Sequence, residues 1–197
     1  MEYLIWSIYN MLKSLVIGGV NPVHHWHIAL IQTWLENVDS LDFFVGTKEI
    51  YRIPYEIRKR ALELVLCNEW FSDRVKVIEH KKLAAINTSI YESLVLWSDV
   101  LNHFHPSESV HRSQDKDFFR WFNSLMVLQR IGNPVTPEII EFVSKYWEIN
   151  LHTEKSSVSA KEIRKRYRDG KDFSELLPRY VQELIQPYLH YFDDSTF

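Results

Sequence analysis

Cysteine is almost absent: Cys67 is the single one in 197 residues. That excludes an internal disulfide and any cysteine-based zinc cluster. Cys67 sits in the apolar run Ala61-Leu62-Glu63-Leu64-Val65-Leu66-Cys67, which predicts a buried, inert thiol. No charge of one sign dominates, with 23 Lys and Arg against 26 Asp and Glu, a net charge of -3. Nothing in that balance calls for nucleic acid or a membrane surface as partner. No apolar run approaches the length of a membrane span, and Met1-Glu2-Tyr3-Leu4-Ile5-Trp6 carries neither a basic n-region nor a following cleavage site. The cytoplasm is the expected compartment. Glycine is also scarce, at five residues. An adjacent pair, Gly18-Gly19, is therefore conspicuous. Aromatics are generous at 14%, with seven Trp, most of them expected in the core.

The periodicity predicts alternating helices and strands. Residues 2–13 read as a short amphipathic helix, an N-terminal extension to one domain over 14–197. Strands are expected at Leu15–Ile17, Asp42–Gly46, Arg74–Ile78, Ser107–His111, Ser124–Gln129 and Trp147–Leu151. Helices are expected at His27–Glu36, from Pro54 to about Cys67, over Ser89–Phe104, from Thr136-Pro137, over Ser159–Arg168 ending at Gly170, and over Pro178–Leu189. The stripe Leu94, Trp97, Val100, Leu101 and Phe104 reads as core. The pattern predicts an α/β, Rossmann-like parallel sheet with helices on both faces and a small helical C-terminal part. Ligands of such sheets bind at the carboxyl ends of the strands near the topological switch point.

Gly18-Gly19 falls there, in Ile17-Gly18-Gly19-Val20-Asn21-Pro22-Val23-His24-His25-Trp26-His27. A strand, a glycine turn and a helix start bearing imidazoles suit an anionic phosphate: the open helix end supplies unpaired N–H groups and positive dipole. Glycines permit close backbone approach. A histidine metal cluster is the competing reading, disfavoured because no Cys or carboxylate sits close by; a surface or capping role for all three histidines is another. No protein metal site is expected.

The same segment resembles the first signature of the nucleotidyltransferase superfamily, a Gly-rich turn, then Pro, leading into His-x-Gly-His. Val158-Ser159-Ala160-Lys161-Glu162-Ile163-Arg164 resembles the second, roughly Ile-Ser-Ser-Thr-x-Ile-Arg. The tail, with Lys165-Arg166-Tyr167-Arg168-Asp169-Gly170, Leu177-Pro178, Val181 and Ile185, is similar to bacterial nicotinate- or nicotinamide-nucleotide adenylyltransferases. The resemblance spans Ser14 to Ile185 and is dense at the two ends. In the middle, Gln114-Asp115 with Trp121 resembles the family's Gly-x-Asp element and downstream Trp, and Leu128-Gln129-Arg130-Ile131-Gly132 its strand ending in Arg-x-Gly.

The resemblance implies adenylyl transfer from ATP to a mononucleotide, with magnesium bridging the phosphates. It assigns His24, His27, Lys161 and Arg164 to catalysis and Gly18, Gly19, Val20, Asn21, Ser159 and Ala160 to the phosphates, with Lys48 as a further contact. Asp115 and Trp121 would hold the mononucleotide, Asp115 being alternatively the N-cap of a short helix over 116–122. The sequence departs from the pattern at Trp26, in place of the motif Gly, at Val20, in place of an aromatic, and at Lys161, in place of Thr. The partners implied are ATP and a mononucleotide, with no nucleic acid or membrane and a homo-oligomer left open. Other acceptors on the same scaffold (phosphopantetheine, FMN, a small phosphate) and a catalytically degenerate nucleotide-binding relative are the alternatives.

Overall fold

Alternating apolar strands separated by helix signals build an α/β sheet. The computed structural model describes residues 12–47, 53–79, 85–102, 121–129, 131–153 and 158–192. The chain runs β1 (Lys13–Gly18), α1 (His25–Leu35), β2 (Ser40–Val45), α2 (Tyr55–Asn68), β3 (Val75–Ile78), a 3₁₀ turn, β4 (Ser93–Trp97), α3 (Ser98–Asn102), β5 (Ser124–Gln129), α4 (Pro137–Val143), β6 (Glu148–Thr153), α5 (Ala160–Arg168), a second 3₁₀ turn, α6 (Arg179–Ile185) and a 3₁₀ segment, Gln186–Phe192. The strands form one six-stranded parallel sheet in the order β3-β2-β1-β4-β5-β6. The order reverses between β1 and β4, so the switch point lies at the end of β1.

The long apolar stretch expected as a helix over Ser89–Phe104 is a strand followed by one short helix. Every residue of β4 is buried. It pairs in parallel with β1 through Leu94 opposite Leu15 and with β5 through Leu94 opposite Leu125. A central parallel strand is covered on both faces and reads as an unbroken apolar run, which periodicity alone does not separate from a buried helix. Leu94, Trp97 and Leu101 are core as expected. The C-terminal helix ends at Ile185 rather than Leu189, and the chain tightens into 3₁₀ geometry around Pro187; proline removes an N–H and obstructs the preceding turn. Lys13 belongs to β1, not to an N-terminal helix, and Leu12 is tied to the start of β2 by the Asp39 and Ser40 N–H groups that donate to its carbonyl. Residues 2–11 of that expected helix, and the expected strand over 107–111, lie outside the described residues.

Two compact units make up the chain: Met1–Ile17 with Val38–Asp42 and His80–Ser157, and Gly18–Asn37 with Phe43–Glu79 and Val158–Phe197. In the first, Asp42 is buried at the amino end of the sheet. It accepts from the Tyr91 hydroxyl at 2.7 Å and pairs with Lys13 Nζ at 2.7 Å. Burial and the neighbouring carboxylate push the Tyr91 phenol far above its ordinary range. Ser14 and Ser93 hydroxyls meet across β1 and β4. In the second unit α2 packs on α6, fastened by the Tyr180 hydroxyl donating to Glu69 at 2.9 Å. The buried stripe of α2 is Arg58, Ala61, Leu62, Val65 and Leu66. Cys67 falls off that stripe and is exposed, contrary to the buried thiol expected. Among the described residues no helix is long and apolar enough to cross a membrane.

Helices α2 and α5 close with the same C-terminal motif. After α5, Gly170 takes φ +65° while Lys171 N–H donates to the Arg166 carbonyl at 2.8 Å. After α2, Phe71 N–H donates to the Leu66 carbonyl at 2.8 Å, but the left-handed residue is Trp70, φ +60° and 91% exposed. A side chain in that region costs about 1–2 kcal/mol that glycine avoids. Trp70→Gly is therefore expected to raise the free energy of unfolding by about 1 kcal/mol in urea titration. Asp42→Ala strands a buried hydroxyl and an ammonium, and is expected to lower it by about 3 kcal/mol.

Candidate phosphate-binding site

The segment after β1 is shaped by two arginines that act on its carbonyls. Arg58, in the first turn of α2, donates from Nη1 to the Gly19 carbonyl at 2.6 Å. Arg164, in α5, donates from Nη1 to the Asn21 carbonyl at 2.7 Å, joining residues 143 positions apart. Between them Val20 is buried with φ +41°. The left-handed residue of the turn is this β-branched valine rather than a glycine. Such a conformation costs about 1–3 kcal/mol and persists only where the surroundings over-determine it. Here the flanking carbonyls are both held.

Proline and valine then lead into α1. Its N-cap is His24, in extended backbone, and its first turn contains no acidic residue, so the positive end of the helix is not neutralised locally. His24 and His27 are 2% and 6% exposed, with ring centroids 4.1 Å apart. His27 Nδ1 accepts from the His24 backbone N–H at 3.2 Å. In the neutral ring the proton therefore sits on Nε2, which leaves His27 a donor. Trp26, the departure from the motif Gly, is 6% exposed and lies against both imidazoles. Its ring is nearly parallel to His24 at 5.9 Å and edge-on to His27 at 5.7 Å. The indole is thus packed among the histidines rather than turned out to solvent.

The second cluster is the N-terminus of α5. Ser159 caps it as expected, its hydroxyl accepting from Glu162 N–H at 3.1 Å. Ser159 and Ala160 are half-buried, Lys161 exposed and Arg164 half-buried. Arg164 thus spends at least one donor on Asn21, the link that brings the two segments together. Arg166 pairs with Glu162 and Glu175, away from the loop. Among the described residues no group of three or more His, Cys, Asp or Glu forms a metal cluster. The arrangement offers imidazole and guanidinium groups beside two helix N-termini, a set for oxyanions.

Lys48 and Asp115 lie outside the described residues, as does Arg130. Trp121 stands in a turn before β5, 54% exposed.

No family model matches the chain. Solved structures do. Plasmodium falciparum nicotinic acid mononucleotide adenylyltransferase in complex with NaAD superposes with a TM-score of 0.67 at 12% identity, covering 94% of this chain and 99% of that one. The same protein in complex with APC gives the same values. A candidate nicotinate-nucleotide adenylyltransferase from Vibrio parahaemolyticus gives 0.53 at 17% identity, covering 93% and 98%. The chain has the fold of nicotinate mononucleotide adenylyltransferases.

Sequence reasoning missed Arg58. Arg58 carries a charge, yet it is 2% exposed. Its spacing to Ala61, Leu62, Val65 and Leu66 is that of a buried stripe, a signal present in the sequence. Ser159→Ala removes the cap of α5 and is expected to lower the unfolding free energy by about 1 kcal/mol, read in thermal melts against the wild type.

Proposed function

We propose that this chain transfers the adenylyl group of ATP to nicotinate or nicotinamide mononucleotide, releasing pyrophosphate and forming the dinucleotide. The observation that carries the reading is the bond from Arg164 to the Asn21 carbonyl, because it joins the two segments that resemble phosphate-binding signatures. The fold shared with known adenylyltransferases supports it.

An oxygen of the mononucleotide phosphate attacks the α-phosphorus of ATP. The new P–O bond forms as the bond to the bridging oxygen breaks, and pyrophosphate leaves with that electron pair. A phosphate monoester is already a nucleophile, so the protein has to position the reactants and stabilise charge rather than abstract a proton. His27, a donor at Nε2, and His24 serve the α- and β-phosphates with the backbone of Gly18 to Asn21. Ser159, Ala160, Lys161 and Arg164 serve the β- and γ-phosphates at the head of α5, and Lys48 adds a contact. The acceptor's pyridine ring stacks on Trp121, with Asp115 as its polar partner. Magnesium enters as the phosphate-bound ion of ATP; a site built of donors and cations suits a metal held by nucleotide oxygens and water.

Incubation of the protein with ATP, magnesium and each mononucleotide should yield dinucleotide and pyrophosphate with one of them. His24→Ala and His27→Ala should each lower kcat by about 100-fold with the melting temperature retained. Full turnover in both variants overturns the assignment of the imidazoles, and absence of product with either acceptor overturns the reaction.

One observation favours a second reading, a nucleotide-binding relative without turnover: Trp26 is packed against both imidazoles. On that reading the wild type makes no dinucleotide, and Trp26→Gly gains ATP affinity in calorimetry.

A further inference from the structure

The mechanism above leaves Arg58 unused, although it is the most deeply committed cation among the described residues near the loop. Its guanidinium donates from Nε to the Ile53 carbonyl at 2.8 Å, from Nη1 to Gly19 at 2.6 Å and from Nη2 to Gly46 at 2.8 Å. Gly46 N–H in turn donates to the Gly18 carbonyl at 2.9 Å. One planar fork therefore pins the loop after β1, the end of β2 and the lead-in to α2. Such a fork spans several acceptors in fixed directions, which an ammonium point charge does not.

The Gly19–Val20 peptide is trans and planar, so its N–H points opposite to its C=O. By holding the Gly19 carbonyl, Arg58 turns the Val20 N–H to the other side of the loop. Among the described residues that N–H has no hydrogen-bond acceptor. The Asn21 carbonyl, fixed by Arg164, sets the following peptide plane but one. A buried positive charge behind the loop adds to the attraction for an anion in front of it.

We propose that Arg58 is a positioning residue that aims the Val20 N–H at a phosphate oxygen of the bound nucleotide without touching it. The proposal rests on the reading of this loop as the nucleotide phosphate site. Its partner on the ligand is a di- or triphosphate oxyanion.

Arg58→Lys keeps the charge and loses the fork. In a folded variant the KM for ATP and the Kd for inorganic pyrophosphate should rise about tenfold or more while kcat changes less than about threefold. A merely structural role would instead shrink the active fraction, lowering apparent kcat at unchanged KM. In parallel, titration of the 15N-labelled wild type with inorganic pyrophosphate should move the Val20 amide resonance strongly. A folded Arg58→Lys variant with wild-type KM and Kd overturns the proposal, and so does a wild type that binds pyrophosphate with its Val20 amide unmoved. Should the lysine variant not fold, the Val20 titration decides. A wild type that binds neither ATP nor pyrophosphate overturns this proposal together with the adenylyl-transfer reading, whereas binding without the Arg58 effect overturns this one alone.

Discussion

Two guanidinium groups gripping alternate carbonyls of one loop set the geometry on which the candidate site depends. Loops without regular structure leave peptide groups to be satisfied individually. Here Arg58 takes the carbonyl of Gly19 and Arg164 that of Asn21. The residue between them is left in a left-handed conformation that a valine does not adopt by choice. Each hydrogen bond from a charged group to a carbonyl is worth more than a neutral pair, on the order of 1.5–3 kcal/mol. Two of them are enough to offset that strain. The Arg58 bond also turns the N–H of the Gly19–Val20 peptide away from the arginine, whereas the Arg164 bond fixes an Asn21–Pro22 peptide that has no N–H.

This grip also explains why the C-terminal helix matters to a loop at the other end of the chain. Arg164 lies one turn into α5, whose first turn is ordered by the Ser159 cap. The cap fixes the start of the helix, the helix fixes Arg164, and Arg164 fixes the Asn21 carbonyl. Local helix chemistry worth about 1 kcal/mol thereby sets the loop.

The loop and the head of α5 were legible in the sequence because their chemistry is local. A glycine pair, a proline, imidazoles and a serine cap act within a few residues, so their order along the chain carries their meaning. The alternation of strands and helices was legible for the same reason at Ser124–Gln129 and at Pro137. It failed at β4, where burial on both faces erases the period that distinguishes strand from helix. Arg58 was missed for a different reason. Its charge argued for solvent, whereas its place on the stripe with Ala61, Leu62 and Val65 argued for the interior. The interior won because three backbone carbonyls from separate segments converge on it, a long-range fact that no window of sequence contains. Trp70 shows the converse. Everything local asks for glycine after α2, and nothing in the structure explains the tryptophan.

Trp26 is where the family pattern and this chain part. Phosphoryl transfer asks the imidazoles for donors, and the indole lies nearly parallel to the ring of His24 and edge-on to that of His27. The contact costs the site volume rather than chemistry. Two imidazoles and an indole lie with centroids within 6 Å of one another, and such close aromatic packing favours rigidity. Rigidity of that kind favours a positioned transition state if the nucleotide still fits beside the indole, and favours a fixed, inert pair if it does not. The imidazoles are the same in either case, so the distinction between transferase and binder rests on the space beside one side chain, not on the residues that would do the work.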